Sequence, residues 1–156
     1  MGDPQASEFK LPPVCQLGFV VKDIASTCPH YESFFGTGPF SEPVDVDMDG
    51  ALFRGKPVKT KIKVAFVQSG GVQIELIQPI EGTNPYTEFL ATKGEGIHHL
   101  AYQVGDMEAA KAAFRKKGLE PLFQRDMGVM EFAYYDTAEP GGLMIEFLYW
   151  KGDGAQ

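Results

Sequence analysis

The sequence predicts an α+β fold, in which two βαβββ repeats form one curved, cup-shaped sheet with the helices on the outside. Two observations predict this fold. Residues 15–23 recur as residues 98–106, and residues 72–76 recur as residues 143–147. Each half also contains one stretch with helical spacing among β-rich apolar runs, in the order strand, helix, strand, strand, strand. One unit alone would leave an apolar sheet face open to water, whereas two units side by side can close it.

The length and the composition suit one globular domain. The chain has 156 residues, of which 44% are hydrophobic and 22% are charged, so it can bury a substantial core. We expect a loose leader at residues 1–13 that ends in two prolines. A single domain follows at residues 14–150, built from modules at about residues 14–80 and 97–150.

The first module begins with an apolar strand at residues 14–22. A helical connection follows from Asp23 to Gly36. Residues 40–58 give a weak signal that fits two short strands around a turn. The module ends with a predicted hairpin, whose strands at residues 60–68 and 72–78 flank a Ser-Gly-Gly turn.

The second module repeats this course. Asn84 and Pro85 form a favourable start for a short bridging helix through about Ala91. After a strand at residues 97–104, Asp106 is expected to cap a helix that ends at Gly118. The remaining predicted strands lie near residues 120–124, 129–136 and 143–149.

Four polar side chains interrupt the apolar strands at matching points of the two halves. Gln16 aligns with His99, and Glu75 aligns with Glu146. A pseudo-twofold axis between the halves would bring all four together, and their donor atoms suit a divalent metal ion. In the alternative interpretation, the glutamates lie on a solvated sheet face and Gln16 only forms hydrogen bonds.

Strand alternation predicts which side chains face the cup. It places Lys63 on the cup side of its strand, and it leaves Ile62, Val64 and Phe66 to pack beneath the helices. The repeat makes Glu131 the counterpart of Lys63. These two residues are candidates for catalysis, or for an ion pair across the cup.

Charge and composition restrict the partners. The formal net charge is −7 and the pI is about 4.9, which argues against nucleic acid or an anionic membrane as a partner. The basic segment from Arg54 to Lys63 fits an exposed strand edge, or a local site for an anionic substrate. Because no signal peptide or bilayer-spanning segment is apparent and Cys15 and Cys28 lack a zinc or redox spacing, we expect a cytoplasmic protein.

The repeat, the strand at residues 96–102 and the Gly-Gly-Leu-Met-Ile-Glu ending at residues 141–146 resemble the vicinal oxygen chelate superfamily. This superfamily is also called the glyoxalase/bleomycin resistance/dioxygenase superfamily, and the resemblance covers roughly residues 14–149. The segments that are most similar to methylmalonyl-CoA epimerase and to uncharacterised glyoxalase-like relatives are residues 72–79, 94–99 and 104–107.

The resemblance implies one divalent metal ion (Zn, Co, Ni, Mn or Fe) that is held by one residue from each of four strands. Carried over residue by residue, the ligands fall on Gln16, Glu75, His99 and Glu146. The epimerases usually have histidine at the first of these positions, whereas the set Gln, Glu, His, Glu resembles that of the zinc-type glyoxalase I enzymes.

The resemblance also implies catalytic roles. In the epimerases, one of two bases is a glutamate at the position that aligns with Lys63, so Glu131 or Glu146 would have to supply a carboxylate here. Lys63 would act as a base only with a lowered pKa, and otherwise as a clamp for an anionic group.

The expected function is that of a metal-dependent isomerase or epimerase acting on a carbon next to a carbonyl group, with an acyl-CoA thioester as the favoured substrate. One alternative is a lactoylglutathione lyase (glyoxalase I)-like enzyme. Another is a metal-free small-molecule binding or drug-resistance protein. A small carbonyl or thioester compound is the expected partner, and the chain is expected to form a homodimer.

Overall fold

One mixed sheet holds all the strands in the computed structural model, which describes residues 8–137, 142 and 144–152. In chain order, the elements are β1 (Val14–Val20), α1 (Ile24–Phe35), β2 (Val44–Asp47), β3 (Leu52–Phe53), β4 (Lys56–Pro57), β5 (Lys61–Ser69), β6 (Val72–Glu81), α2 (Pro85–Lys93), β7 (Gly96–Gln103), α3 (Met107–Arg115), β8 (Phe123–Asp126), β9 (Met130–Asp136) and β10 (Met144–Trp150).

The order of the strands reflects the internal repeat. From one edge, the sheet runs β2-β5-β6-β1-β7-β10-β9-β8-β3-β4. The first strands of the two halves, β1 and β7, pair antiparallel at the centre, and each pairs parallel on its outer side with the last strand of its own half, β6 or β10. The predicted fold class, a curved α+β sheet made of two βαβββ units, is confirmed.

The helices that follow the two central strands begin in the same way. Asp23 and Asp106 both have extended backbones, and their carboxylates accept hydrogen bonds from the amides of Ser26 and Ala109. These caps satisfy backbone donors that the first helical turn leaves free. The buried face of α3 then packs on the outer side of the second half of the sheet, and Ile24 of α1 does the same on the first half.

The prediction of which side of β5 faces the cup is wrong. Ile62, Val64 and Phe66 line the concave side, whereas Ala65 packs beneath α1 in contact with residues around Ile24. Both faces of this strand carry apolar side chains, because one packs against a helix and the other lines the cavity. Alternation therefore separates the two faces but does not say which one is concave.

A short hairpin from the first half crosses to the second half. Residues 40–58, predicted as two short strands, contain three, and β3 pairs antiparallel with β8 at the far edge of the sheet. Arg125 on β8 also donates a hydrogen bond to the backbone carbonyl of Asp47 on β2, with an N···O distance of 2.9 Å. The crossing segment thus connects the two edges of the curved sheet.

The described part of the predicted leader contacts the second half of the sheet. Residues 1–7 lie outside the described residues, as does Leu143, where the last strand was predicted to begin. The ring of Phe9 packs edge-on against Phe114 and Phe147, with centroid distances of 6.2 and 6.0 Å. In the part of the chain that the structure describes, every helix is too short or too polar to cross a bilayer.

Candidate metal centre

A cavity of about 760 Å³ opens on the concave side of the sheet. Its walls are mostly apolar, and polar side chains lie among the central strands. The apolar lining residues are Val44, Val46, Met48, Ile62, Val64, Phe66, Met127, Val129, Met130, Phe132, Leu148 and Trp150. The polar group includes Gln16, Gln73, Glu75, Tyr86, Tyr134 and Glu146.

The register of the central strands brings the four predicted ligands together. On β1, Gly18 lies opposite both His99 of β7 and Glu75 of β6. By the pseudo-twofold relation, Ala101 of β7 lies opposite Gln16 and Glu146. Each pair of polar residues thus lies on either side of a small residue, which leaves room for the side chains to converge.

The convergence is close. Donor atoms of Glu75, His99 and Glu146 all lie within 4.8 Å of one another. From Nε2 of His99, the nearest carboxylate oxygens are 3.1 Å away on Glu146 and 3.7 Å away on Glu75. The side-chain oxygen of Gln16 lies 3.4 Å from the same nitrogen. One imidazole nitrogen therefore faces oxygen atoms from three strands.

The donors are oriented for a cation. The amide nitrogen of Gln16 donates to the side-chain oxygen of Gln73 at 2.8 Å, which turns the Gln16 oxygen toward His99. Oε2 of Glu146 is buried and lies 3.1 Å from Nε2 of His99. A buried carboxylate beside a second carboxylate is costly unless a cation neutralises it. The donor set therefore fits a divalent ion of the zinc and first-row type.

Burial shifts the pKa values of Glu75, His99 and Glu146. It raises the pKa of Glu146 to about 8, although a hydrogen bond from Tyr134 works in the opposite direction. Burial, and then the neighbouring Glu146, raises the pKa of Glu75 well above its usual value. Burial also lowers the pKa of His99 to about 3. The neutral imidazole is the form that can bind a metal ion, and each carboxylate gains from a nearby positive charge.

Gly18 allows the His99 ring to take its place. A Cβ atom built on Gly18 would overlap Cε1 and both nitrogens of the His99 ring. The backbone dihedrals of Gly18 are not in the left-handed region, so the requirement for glycine here comes from close approach alone.

These pKa shifts predict how the stability of the metal-free protein depends on pH. Between pH 6.5 and about 8, the raised carboxyl pKa values dominate, so the folded state holds extra protons and stability falls as pH rises. Between pH 4.5 and 6.5, His98 and His99 bind protons in the unfolded state but not in the folded state. These protons offset the extra protons on the carboxyls of the folded state, so stability changes little with pH. Below pH 4.5 the histidines dominate, and stability falls as pH falls. We expect urea unfolding of the metal-free protein to show this plateau, and Glu146→Gln to reduce the loss above pH 6.5.

The structure does not bring Lys63 and Glu131 to the site. Lys63 lies on the outer side of β5 and pairs with Asp45 at 2.7 Å. Glu131 lies on the outer side of β9 and pairs with Lys111 of α3 at 2.9 Å. The predicted position of both residues in the cup is wrong, for the reason given for β5 above.

Only the first part of the basic segment lies at a sheet edge, on the β3–β4 hairpin, because β5, which carries Lys61 and Lys63, is paired on both sides. Arg54 forms a two-pronged pair with Glu88, and Lys61 lies 3.9 Å from Glu81. Together with the pair at Lys63, these contacts show that several of its charges are already matched by carboxylates.

The sequence predicted no hydrogen-bonding role for two tyrosines at the site. Tyr86 donates a hydrogen bond to the hydroxyl of Tyr134 at 2.8 Å, and Tyr134 in turn hydrogen-bonds the carboxylate of Glu146. Tyr134 aligns with Phe66 in the repeat, so both positions look like core residues. In the sequence, the signal of a polar role was that Tyr134 has a hydroxyl group where the equivalent strand of the first half has Phe66.

Comparisons with known proteins agree with the fold. A sequence profile of the Glyoxalase/Bleomycin resistance protein/Dioxygenase superfamily matches residues 15–134. An uncharacterized protein, YqjC, of Bacillus subtilis (strain 168) is 31% identical over 96 residues, which cover 60% of this chain and 69% of that protein. The mitochondrial methylmalonyl-CoA epimerase of Mus musculus is 28% identical over 126 residues, or 76% of this chain. The match spans 64% of the mouse protein, which is less than two thirds of its length.

Solved structures show the same architecture. A hypothetical protein from Bacillus halodurans C-125 superposes with a TM-score of 0.72 at 22% identity, covering 92% of this chain and 98% of that one. Methylmalonyl-CoA epimerase from Mycobacterium tuberculosis superposes with a TM-score of 0.70 at 21% identity, covering 91% and 90%. Another methylmalonyl-CoA epimerase, in complex with methylmalonyl-CoA and NH4+, gives a TM-score of 0.69 at 19% identity, covering 92% and 97%. At these identities, the likeness concerns the fold.

Proposed function

Since this chain belongs to the glyoxalase/bleomycin resistance protein/dioxygenase superfamily, we propose that it is a metal-dependent isomerase that moves a proton at a carbon next to a carbonyl group. The observation that carries the proposal is the largely buried cluster of Glu75, His99 and Glu146 at an apolar cavity. Gln16 is the proposed fourth ligand. A divalent ion bound there would supply a Lewis acid that makes the carbon beside a carbonyl more acidic.

Glu146 is the proposed base. Its raised pKa matches the need of a group that takes up a proton near neutral pH and returns it. Tyr134 holds the Glu146 carboxylate by a hydrogen bond, and Tyr86 holds Tyr134, so the base stays oriented. Glu146 would have to serve as a ligand and as a base in turn.

Glu75 is the proposed partner of Glu146 on the other side of the substrate. The pseudo-twofold axis relates the two strands that carry them, and each glutamate lies next to the small residue of its central strand. Two carboxylates related in this way can approach one carbon from opposite faces. Removal of a proton on one face and its return on the other would invert the carbon centre.

The walls of the cavity support the proposal. Residues such as Val64, Phe132 and Leu148 would bind an apolar acyl group and exclude water from the reacting carbon. Water exclusion strengthens the interaction between the carboxylates and any developing charge.

The names of the relatives favour an acyl-CoA thioester as the substrate. Two mammalian relatives are methylmalonyl-CoA epimerases, and a structural neighbour was solved with methylmalonyl-CoA. The proposal includes a homodimer in the cytoplasm, with neither nucleic acid nor membrane as a partner, and light scattering would measure the mass of the assembly in solution.

A glyoxalase I-like lyase is the second candidate, and the donor set favours it. Gln16 stands where the epimerases usually have histidine, and the combination Gln, Glu, His, Glu resembles that of the zinc-type glyoxalase I enzymes. This reaction also removes a proton from a carbon next to a carbonyl group and returns it to the carbonyl carbon, so the same carboxylates would serve.

One experiment separates these candidates. The purified protein, loaded in turn with Zn, Co, Ni, Mn or Fe, is incubated in D₂O with methylmalonyl-CoA, and separately with the hemithioacetal of glutathione and methylglyoxal. Deuterium uptake at the α-carbon supports the epimerase, and formation of the lactoyl thioester supports the lyase. If neither substrate reacts with any metal, the proposal fails and the metal-free binding protein becomes the better interpretation.

Removal of the outer charges should leave the reaction almost unchanged. Because Lys63 and Glu131 lie on the helix side of the sheet, Lys63→Ala and Glu131→Ala are expected to keep kcat/KM within about threefold of the wild-type value, a change of less than 1 kcal/mol in transition-state stabilisation. Initial rates under subsaturating substrate measure this directly. A loss of two orders of magnitude in either variant would show that its charge acts in catalysis.

A further inference from the structure

Two neighbouring histidines point to the same side of β7, because the strand contains a β-bulge. Gly18 of β1 pairs with His99, but the next residue, Phe19, pairs with Ile97, so His98 is an extra residue in the ladder. A bulge re-aims side chains that would otherwise alternate. The ring of Tyr134, which faces the cavity, contacts both imidazoles, with centroid distances of 5.9 and 4.9 Å.

The bulge joins the two rings by a hydrogen bond. Nδ1 of His98 and Nδ1 of His99 lie 3.1 Å apart, and both residues are buried. Two neutral imidazoles can share such a bond only if one Nδ1 carries a proton and the other does not. The tautomer of either ring therefore dictates the tautomer of the other.

The surrounding hydrogen bonds assign the direction of this bond in the metal-free protein. Gln16 uses its amide nitrogen to donate to Gln73, so its oxygen faces His99 at 3.4 Å. An amide oxygen can only accept, and Oε2 of Glu146, 3.1 Å from the same nitrogen, offers a second acceptor, so Nε2 of His99 is the donor. Nδ1 of neutral His99 is then bare, and it accepts the Nδ1 proton of His98.

A metal ion requires the opposite arrangement. A histidine that binds a metal ion through Nε2 uses the lone pair of that nitrogen, and its remaining proton moves to Nδ1. If His99 is a ligand, its Nδ1–H needs an acceptor, and the nitrogen that faces it is Nδ1 of His98.

We propose that His98 and His99 exchange tautomers when the centre binds a divalent ion, and that His98 is the positioning residue that accepts the Nδ1–H of liganded His99. This inference rests on the proposed metal site. The Nε2 proton of His99 leaves to solvent, the Nδ1 proton of His98 passes to Nδ1 of His99, and solvent supplies a proton to Nε2 of His98. Both rings stay neutral, and the pair neither gains nor loses a proton.

The environment of His98 suits this role. The rings of Tyr86 and Phe89 pack against it at centroid distances of 5.1 Å. Burial, and then the neighbouring His99, lowers the pKa of His98 to about 3, which keeps the ring neutral at physiological pH. A neutral, immobilised acceptor holds the ligand ring in one orientation without adding charge to the centre.

The tautomers can be observed directly. The chain has three histidines, so ring-labelled ¹⁵N protein gives a simple long-range ¹H–¹⁵N spectrum, in which the exposed His30 is an internal control. We expect the metal-free protein to show protons on Nε2 of His99 and Nδ1 of His98. With Zn²⁺ added, both should switch, to Nδ1 of His99 and Nε2 of His98, while His30 does not change.

Zn²⁺ affinity provides an independent readout, measured on two variants of His98 whose new side chains are similar in size to each other. Asparagine at position 98 keeps an acceptor near the place of Nδ1, and leucine removes it. We expect His98→Leu to weaken Zn²⁺ binding by about 10- to 100-fold, as is typical for loss of a partner behind a metal ligand, and His98→Asn to restore most of the affinity in calorimetric titrations.

The outcomes separate this inference from the proposed function. If Zn²⁺ binds and His98 keeps its tautomer, or if His98→Leu and His98→Asn bind Zn²⁺ equally well, the exchange is wrong and the metal centre stands. If the wild-type protein binds no Zn²⁺ and no ring signal changes, the metal centre itself is wrong and the exchange fails with it.

Discussion

Replacement of Glu146 by glutamine should reduce α-proton exchange by about 10³-fold, because it removes the proposed base while keeping the size of the side chain. The same change removes one anionic ligand, so Zn²⁺ affinity should fall as well. In the metal-free protein the effect on stability has the opposite sign. A buried carboxyl with a pKa near 8 destabilises the folded state once it ionises, so the variant should be more stable than the wild type at pH 8 in the absence of metal.

Three measurements on one pair of variants test this expectation. Exchange rates in D₂O, calorimetric Zn²⁺ titrations and urea unfolding at pH 8 are compared for Glu146→Gln and for Glu131→Gln, a control that alters a carboxylate on the outer side of the sheet. The control should retain activity and metal affinity. Equal activity of the two variants would refute the role of Glu146, and equal Zn²⁺ affinity would refute its role as a ligand.

Replacement of Gly18 by alanine should disrupt the centre without changing any ligand. The added Cβ would overlap the His99 ring, so either the ring or the β1 backbone must move. Forced overpacking of this kind costs about 1–3 kcal/mol of stability. A displaced ligand should also weaken Zn²⁺ binding by at least about tenfold.

Gly71 offers a matched control for this variant. It lies in the exposed turn before β6, and a Cβ built there meets no atom within 4 Å. Gly71→Ala should therefore keep both the urea midpoint and the Zn²⁺ affinity of the wild type. The interpretation of Gly18 fails if Gly18→Ala binds Zn²⁺ as tightly as this control does.

The sequence repeat was sufficient to predict the fold and to bring Gln16, Glu75, His99 and Glu146 to one point. It worked because the two halves are related by symmetry, so that equal offsets along the chain translate into positions around one axis. Whether these residues bind a metal ion stays a prediction.

What the sequence could not predict was the direction in which the sheet curves. On β5, both faces carry apolar residues, so Lys63 and Val64 exchange sides if the concave face is misassigned. The bulge at His98 was also hidden, because an extra residue in one strand depends on the pairing with its neighbour. Gly18 was visible as a glycine within an apolar strand, but its role emerges only with the position of the His99 ring.

The crossing hairpin has a consequence for how the molecule comes apart. β3 belongs to the first half of the chain and hydrogen-bonds β8 of the second half. The edge strand of the second half is therefore completed by residues of the first half. A fragment ending near residue 80 would carry a β3–β4 hairpin with no strand to dock on, and the complementary fragment would expose the free edge of β8. Such interlocked repeats favour a single cooperative unfolding transition over two. The binding of an ion at the centre should therefore slow the hydrogen exchange of backbone amides as far away as β8.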